Sequence, residues 1–245
     1  MPPSRRLPKR SGMTKLTPLV AKTLVDQAVD AIVEAAAKGI FLPGDRIVEA
    51  ELARSLAVSR IPVREALRLL ESQGVVVSER YRGMRLMSVD IDLLEKILKV
   101  RLALEKLAGT EVIEKVKRDP GVLAPLEGVL AQMHEAADAG DGFSVARLDT
   151  EFHLCLCQLS DNEVLVRSWE PLSRQLTIIF GLSTLKKGVK GIVVVHDDLI
   201  ETISKGDRHA FEKLLETHIL EYSRAVDYER LVEQLRMLEK RTEAG

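Results

Sequence analysis

Aromatic side chains are scarce: one Trp, three Tyr and five Phe make up 4% of the 245 residues. Packing therefore falls to Leu, Val, Ala and Ile in a chain that is 46% apolar, a composition that favours helices packed on helices. Cysteine is nearly absent. Cys155 and Cys157 are two residues apart and would point about 200° apart on a helix, which places them badly for a bridge to each other. Such a chain fits a reducing cytoplasm. No run approaches the roughly 20 apolar residues that span a bilayer, which argues against a transmembrane helix. The opening MPPSRRLPKRSGMTK is basic and proline-bearing and lacks the apolar core of a secretion signal. Residues 1–16 read as a disordered basic arm. Neither an internal repeat nor a low-complexity tract is present. The length allows one large domain or two small ones.

Charge is present in balance but not evenly spread. Residues 1–88 hold 15 Lys+Arg against 9 Asp+Glu, whereas residues 89–245 hold 21 against 28. A basic half joined to an acidic half points to two domains with different partners, the basic one being the candidate for nucleic acid.

Within the basic half, SRIPVREALRLLESQG (59–74) has helical spacing. Val63, Leu67 and Leu70 form an apolar stripe, and Arg60, Arg64 and Arg68 line up on another side. Ser59 is a suitable N-cap, Pro62 falls in the first turn, and Gly74 marks the stop. Before it, residues 17–39 read as a helix, FLPGD (41–45) as a turn and residues 48–56 as a short helix. The turn Ala57-Val58 joins that short helix to the basic one. After it come a strand at 75–77, a polar turn from Glu79 to Gly83 and a second strand at 84–89. Two short helices joined by a tight turn, the second basic on its outer side, followed by a hairpin, predict a winged helix-turn-helix over 17–89. Arginine suits the groove-facing side because it pairs with phosphate and donates twice to guanine. Arg80, Arg82 and Arg85 of the wing are placed to reach the backbone or the minor groove.

From Asp90 onward the pattern is helical throughout, over 90–117, 121–139, 142–160, 162–184, 191–205, 207–227 and 228–242. The predicted fold class is therefore mainly α: an N-terminal winged helix-turn-helix followed by an all-helical bundle of six to seven helices. Leu231, Leu235 and Leu238 give the last stretch, 228–245, an apolar stripe for its own bundle or for a partner subunit.

All five histidines lie in the acidic half. Asp149 and His153 are four residues apart on one helix, while His196 and His218 fall on two later ones, each among aliphatic residues. Converging in a bundle, they would suit zinc, nickel, manganese or iron, with positions left for water or ligand. Spacing alone equally admits ordinary core or surface histidines. His134 and His209 lie on polar stretches and read as solvent-facing. Cys157, four residues after His153, reads as a small core residue that could line the same pocket.

The motifs of the basic half, LPGDRIVEAELARSLAVSRIPVREALRLLESQGVV (42–76), resemble those of the GntR family of bacterial transcription factors. VRLALEKLAG (100–109), DTEFH (149–153), SDN (160–162), HDDLIETISKGD (196–207) and THI (217–219) resemble the ligand domain of its FadR-like branch, in family order. The resemblance spans about 18–227. It implies a homodimer that binds a pseudo-palindromic operator and responds, as a repressor, to a small carboxylic acid effector. It implies a divalent metal, zinc foremost, held by Asp149, His153, His196 and His218 in a domain over 90–227. DNA contacts would fall on Ser59, Arg60, Arg64 and Arg68 and on Arg82, Gly83 and Arg85, with Gly83 at the wing tip. Arg101 and Arg174 would meet the effector carboxylate, and Asn162 would donate to it or cap a helix. Two positions depart from the pattern: Ala50 stands where some relatives carry a DNA-contacting arginine, and Ala57 where the turn often has glycine. The alternatives are a metal-dependent hydrolase or lyase, and a DNA binder without sequence preference.

Overall fold

The computed structural model describes residues 22–185, 189–224 and 226–243. The basic arm, the first residues of the helix expected from 17, and residues 186–188 lie outside the described residues.

Helix α1 (Leu24–Ala37) begins later than expected because Thr23 caps it. The Thr23 hydroxyl accepts from the Asp26 N–H and the Asp26 carboxylate accepts from the Thr23 N–H, a reciprocal pair that starts the helix there. Its inner face, including Val29, Ile32 and Ala36, packs on α3. Strand β1 (Arg46–Ile47) and helix α2 (Glu49–Ser55) follow. The turn into α3 (Arg60–Ser72) puts Ala57 at φ +53°, so the left-handed conformation is kept without glycine. Ser59 occupies the N-cap, but its side chain makes no capping hydrogen bond. Val63, Ala66, Leu67 and Leu70 of α3 are buried, which leaves the arginine side facing outward.

Gly74, at φ +71°, turns the chain into β2 (Val76–Glu79), which pairs antiparallel with β3 (Gly83–Leu86). The second strand thus stops at Leu86 rather than Val89. Gly83 pairs with Glu79, so the wing tip is Arg80-Tyr81-Arg82 and not Gly83. The sheet has a third member, β1, on the far edge of β3, in the order β1-β3-β2. Two residues are too short a run to show strand alternation, so this strand leaves no signal in the sequence.

The helical half comprises α4 (Ile91–Val116), a 3₁₀ turn (Pro120–Leu123), α5 (Ala124–Asp138), α6 (Gly142–Leu159), α7 (Glu163–Thr184), α8 (Lys190–Ser204), α9 (Arg208–Arg224) and α10 (Tyr228–Glu243). Asp90, Asp141 and Asn162 cap α4, α6 and α7 by accepting the N–H three residues on. Helix α7 runs through Pro171 without ending. Helix α6 packs between α5 and α7, and α4 lies against α6, α7, α8 and α9. Tyr228 and Leu231 of α10 are buried, and Arg236 donates to the Pro43 carbonyl at 2.6 Å and pairs with Asp45 at 2.8 Å. The extension therefore packs on its own chain, with Leu238 left exposed.

The two halves meet along α7. Its Gly181 lies against Ala37 of α1, where an added Cβ would come within 2.6 Å of the alanine Cβ. Gln175 Nε2 donates to the Gln73 carbonyl at 2.5 Å, at the C-cap of α3. Among the described residues, no helix is long and apolar enough to cross a membrane.

A close approach of α4 and α9 sets the position of His218. A Cβ built on Gly109 would sit 2.0 Å from the ring of Phe211, two helical turns before that histidine. Gly109→Ala should therefore destabilise the protein by about 1–3 kcal/mol, overriding the roughly 1 kcal/mol that alanine gains in a helix. Denaturant unfolding checks this; an unchanged or higher midpoint would refute the contact.

Candidate metal centre

Asp149 and His153 stand one turn apart on α6, His196 comes from α8 and His218 from α9. All four are buried, and one ligand atom from each lies within 4.8 Å of all the others. His153 Nε2 and His218 Nε2 are 3.1 Å apart, and His196 Nε2 is 3.2 Å from Asp149 Oδ1. Donors about 2.1 Å from a shared ion would be separated by about 3 Å or slightly more.

Protonation follows from the outer partners. His196 Nδ1 faces the Ile192 carbonyl at 2.8 Å, which makes Nδ1 the N–H donor and leaves Nε2 with a lone pair. That lone pair confronts the Asp149 carboxylate, so two acceptors face each other in a buried space. Asp149 Oδ2 and His196 Nε2 find no hydrogen-bond partner there. Orphaned buried acceptors are costly, and a cation between them removes the cost. Burial, followed by the nearby Arg101 charge, pushes His153 below its ordinary range. Burial and the neighbouring His196 and His153 push His218 well below. Burial would raise the Asp149 carboxyl; positive charge beside it, at His196 first and then at His153 and Arg101, holds it well below the usual range, so with the imidazoles neutral a cation is needed to keep it ionised. An ionised carboxylate with neutral imidazoles is the state that binds metal. The donor set thus fits a divalent ion.

A second layer backs the first. Glu105 of α4 is fully buried, and its Oε2 lies 2.7 Å from His153 Nδ1. Its Oε1 accepts from Arg101 Nε at 2.7 Å and from Trp169 Nε1 at 2.8 Å. Burial raises this carboxyl, but Arg101 and His153 more than compensate and leave it at about 2. A carboxylate behind a histidine orients the ring and raises its basicity. Sequence reasoning missed Glu105 and Trp169, because an Arg and a Glu four residues apart look like any helix-surface pair. The available signal was that Glu105 shares the inward face with Leu94, Leu98 and Ala108.

The other expected residues fall in several places. Arg101 is buried beside the cluster; Glu105 takes its Nε, while its Nη2 has no partner. Arg174 Nη1 donates to Gln73 Oε1 at 3.0 Å, at the junction with α3. Asn162 caps α7 through its side-chain oxygen. Cys157 is buried, and burial pushes its thiol well above the ordinary range; it is not part of the cluster. His134 pairs with Asp197 at the surface, and His209 is exposed. In the basic half Ser59, Arg60, Arg64 and Arg68 are exposed along α3, and Arg82 is exposed on the wing. Arg85 is less free than expected, since its Nη1 donates to the Gly44 carbonyl at 2.7 Å and its Nε lies 3.3 Å from Glu79.

Both halves match known protein families. The family model for bacterial regulatory proteins of the gntR family matches residues 24–86, and that for the FCD domain matches 96–221, just over half of the chain. The chain belongs to the GntR family. It is a transcriptional regulator with an FCD domain, not an enzyme, since both domains and the relatives found are those of regulators. Among GntR relatives, the HTH-type transcriptional regulator YdhC of Bacillus subtilis is 31% identical over 182 residues, covering 74% of this chain and 80% of its own length. A Paenarthrobacter nicotinovorans protein named "Probable D-xylose utilization operon transcriptional repressor" is 28% identical over 205 residues, 83% of this chain and 89% of its own. The solved structure of E. coli McbR/YncC superposes with a TM-score of 0.70 at 21% identity, over 87% of this chain and 99% of that one, a likeness of fold.

The buried pair behind the cluster makes a stability prediction. Arg101→Ala would leave Glu105 buried with less compensation and should cost about 3–5 kcal/mol in denaturant unfolding. A loss below about 1 kcal/mol would mean that Glu105 is neutral or hydrated.

Proposed function

We propose that this regulator is a repressor that binds a pseudo-palindromic operator as a homodimer and responds to a small carboxylic acid bound at a divalent metal. Residues 17–89 would be the DNA-binding unit, 90–227 the metal- and effector-binding unit and 228–245 a helical extension, with a cytoplasmic location. The observation that carries the reading is the convergence of Asp149, His153, His196 and His218 with buried lone pairs turned on one another. These four would hold the ion, zinc before nickel, manganese or iron, since imidazole-rich sites suit it. The ion supplies a positive centre for an anionic ligand. Arg101, with a buried nitrogen unpartnered, supports a carboxylate contact beside it. Arg174, which donates to Gln73 through Nη1, and Asn162, which caps α7 through its side-chain oxygen, are the further effector candidates through their remaining donors. The relative named as a repressor supports repression.

Two recognition helices related by a 2-fold axis would each read one half-site, with Arg60, Arg64 and Arg68 toward the groove and Arg82 toward the backbone. An effector alters operator affinity only as far as it binds one arrangement of the protein better than the other.

Elemental analysis of the purified protein should find one divalent ion per chain, lost in His153→Ala. Glu105→Gln should weaken metal affinity about 10–100-fold. Wild-type protein that carries no metal and gains no thermal stability from added zinc would remove the metal from the proposal. In a gel-shift titration Arg64→Ala should weaken binding to an operator by about 1–3 kcal/mol. Unchanged affinity would mean that α3 is not the reading helix.

A further inference from the structure

A carboxylate stands inside the arginine face. Glu49, in the first turn of α2, accepts from Arg64 Nε at 2.9 Å through Oε2 and from Arg64 Nη2 at 2.8 Å through Oε1. Arg60 Nε lies 3.9 Å from the same Oε1. Glu49 is the less exposed partner, its side chain 24% accessible against 50% for Arg64 and 62% for Arg60. An acidic group here opposes phosphate and lowers attraction for any DNA. Packing of the short helix does not call for it, because Leu52 and Ala53 are the buried residues of α2. Its geometry offers a reason. The pair uses the Nε–Nη2 side of the guanidinium and leaves the end formed by Nη1 and the outer Nη2 hydrogen free. That end carries two parallel donors, the fork that fits O6 and N7 of guanine.

We infer that Glu49 is a positioning and specificity-determining residue, a clamp that holds Arg64 edge-on so that its free end meets a base rather than whichever phosphate is nearest. The inference rests on Arg64 being a DNA contact. Freed of the clamp, Arg64 is a mobile cation that can neutralise any phosphate within reach. Loss of the carboxylate therefore lowers affinity for the correct duplex while raising it for a random one. Mere electrostatic repulsion would raise both, and mere structural support would lower both.

The test uses full-length protein and a duplex enriched by the wild type from a random pool, with a scrambled duplex of the same length as reference. Dissociation constants for both are measured for wild type, Glu49→Ala, Glu49→Gln, Arg64→Ala and the Glu49→Ala/Arg64→Ala double variant. Both Glu49 variants should cut the specific-to-scrambled affinity ratio about tenfold, within the 5- to 150-fold span of one bidentate base contact. Scrambled-duplex affinity should rise, and its salt dependence should steepen by about one counterion. In the Arg64→Ala background the Glu49 change should leave the ratio unaltered. The clamp is refuted if Glu49→Ala and Glu49→Gln raise both affinities equally, or if they lower both along with the melting temperature. Should Arg64→Ala itself leave the enriched duplex bound as before, or should the wild type enrich no sequence, the underlying assignment of α3 is lost and the clamp with it.

Discussion

One carboxylate and three imidazoles are buried together in a bundle whose remaining interior is mostly apolar. Taking such groups out of water is expensive unless each finds a partner. Much of the helical half is arranged around meeting that demand. Helices α6, α8 and α9 bring the four donors, and α4 brings Glu105 and Arg101 behind them. The single tryptophan, on α7, closes the ring by donating to Glu105. Five helices are thereby tied to one polar point, which narrows their register more than interchangeable leucines would.

The basic half meets the opposite requirement. Its arginines must stay outside, so its core is made by the inner faces of α1 and α3 and by the three-stranded sheet. The turn ahead of α3 tolerates Ala57 in the left-handed region, at a cost of about 1–2 kcal/mol relative to the ordinary conformation. Within its own face the arginines are not all equivalent. Arg85 is spent on holding β3 to the turn at Gly44, Arg64 is paired with Glu49, and Arg82 projects from the wing with only a 3.8 Å contact to Glu79.

Helix α7 touches both halves. Trp169 reaches the layer behind the histidines, Gly181 admits α1, and Arg174 with Gln175 holds the C-cap of α3 at Gln73. Arg174 is thus part of the junction between the helical half and the basic half. Helix α10 adds a second tie, through Arg236, to the Pro43–Asp45 turn.

The sequence alone determined the helices of the second half to within a few residues, the helix-turn-helix with its hairpin, and the candidate donor set. These are local or additive signals: apolar periodicity, start and stop residues such as Ser59, Pro62 and Gly74, and histidines confined to apolar surroundings. Only the tertiary structure decided which polar groups meet. Glu105 and Arg101 form an ordinary i, i+4 pair until α6 and α7 cover them, and Arg174 is a free cation until Gln73 arrives from 101 residues away. The strand at Arg46–Ile47 exists only because β3 offers it an edge, and Glu49 has a role only because α3 presents Arg64 beside it. Helical periodicity tells each segment which side to bury. The partner that covers that side is set by long-range packing, and with it the chemistry of every buried charge.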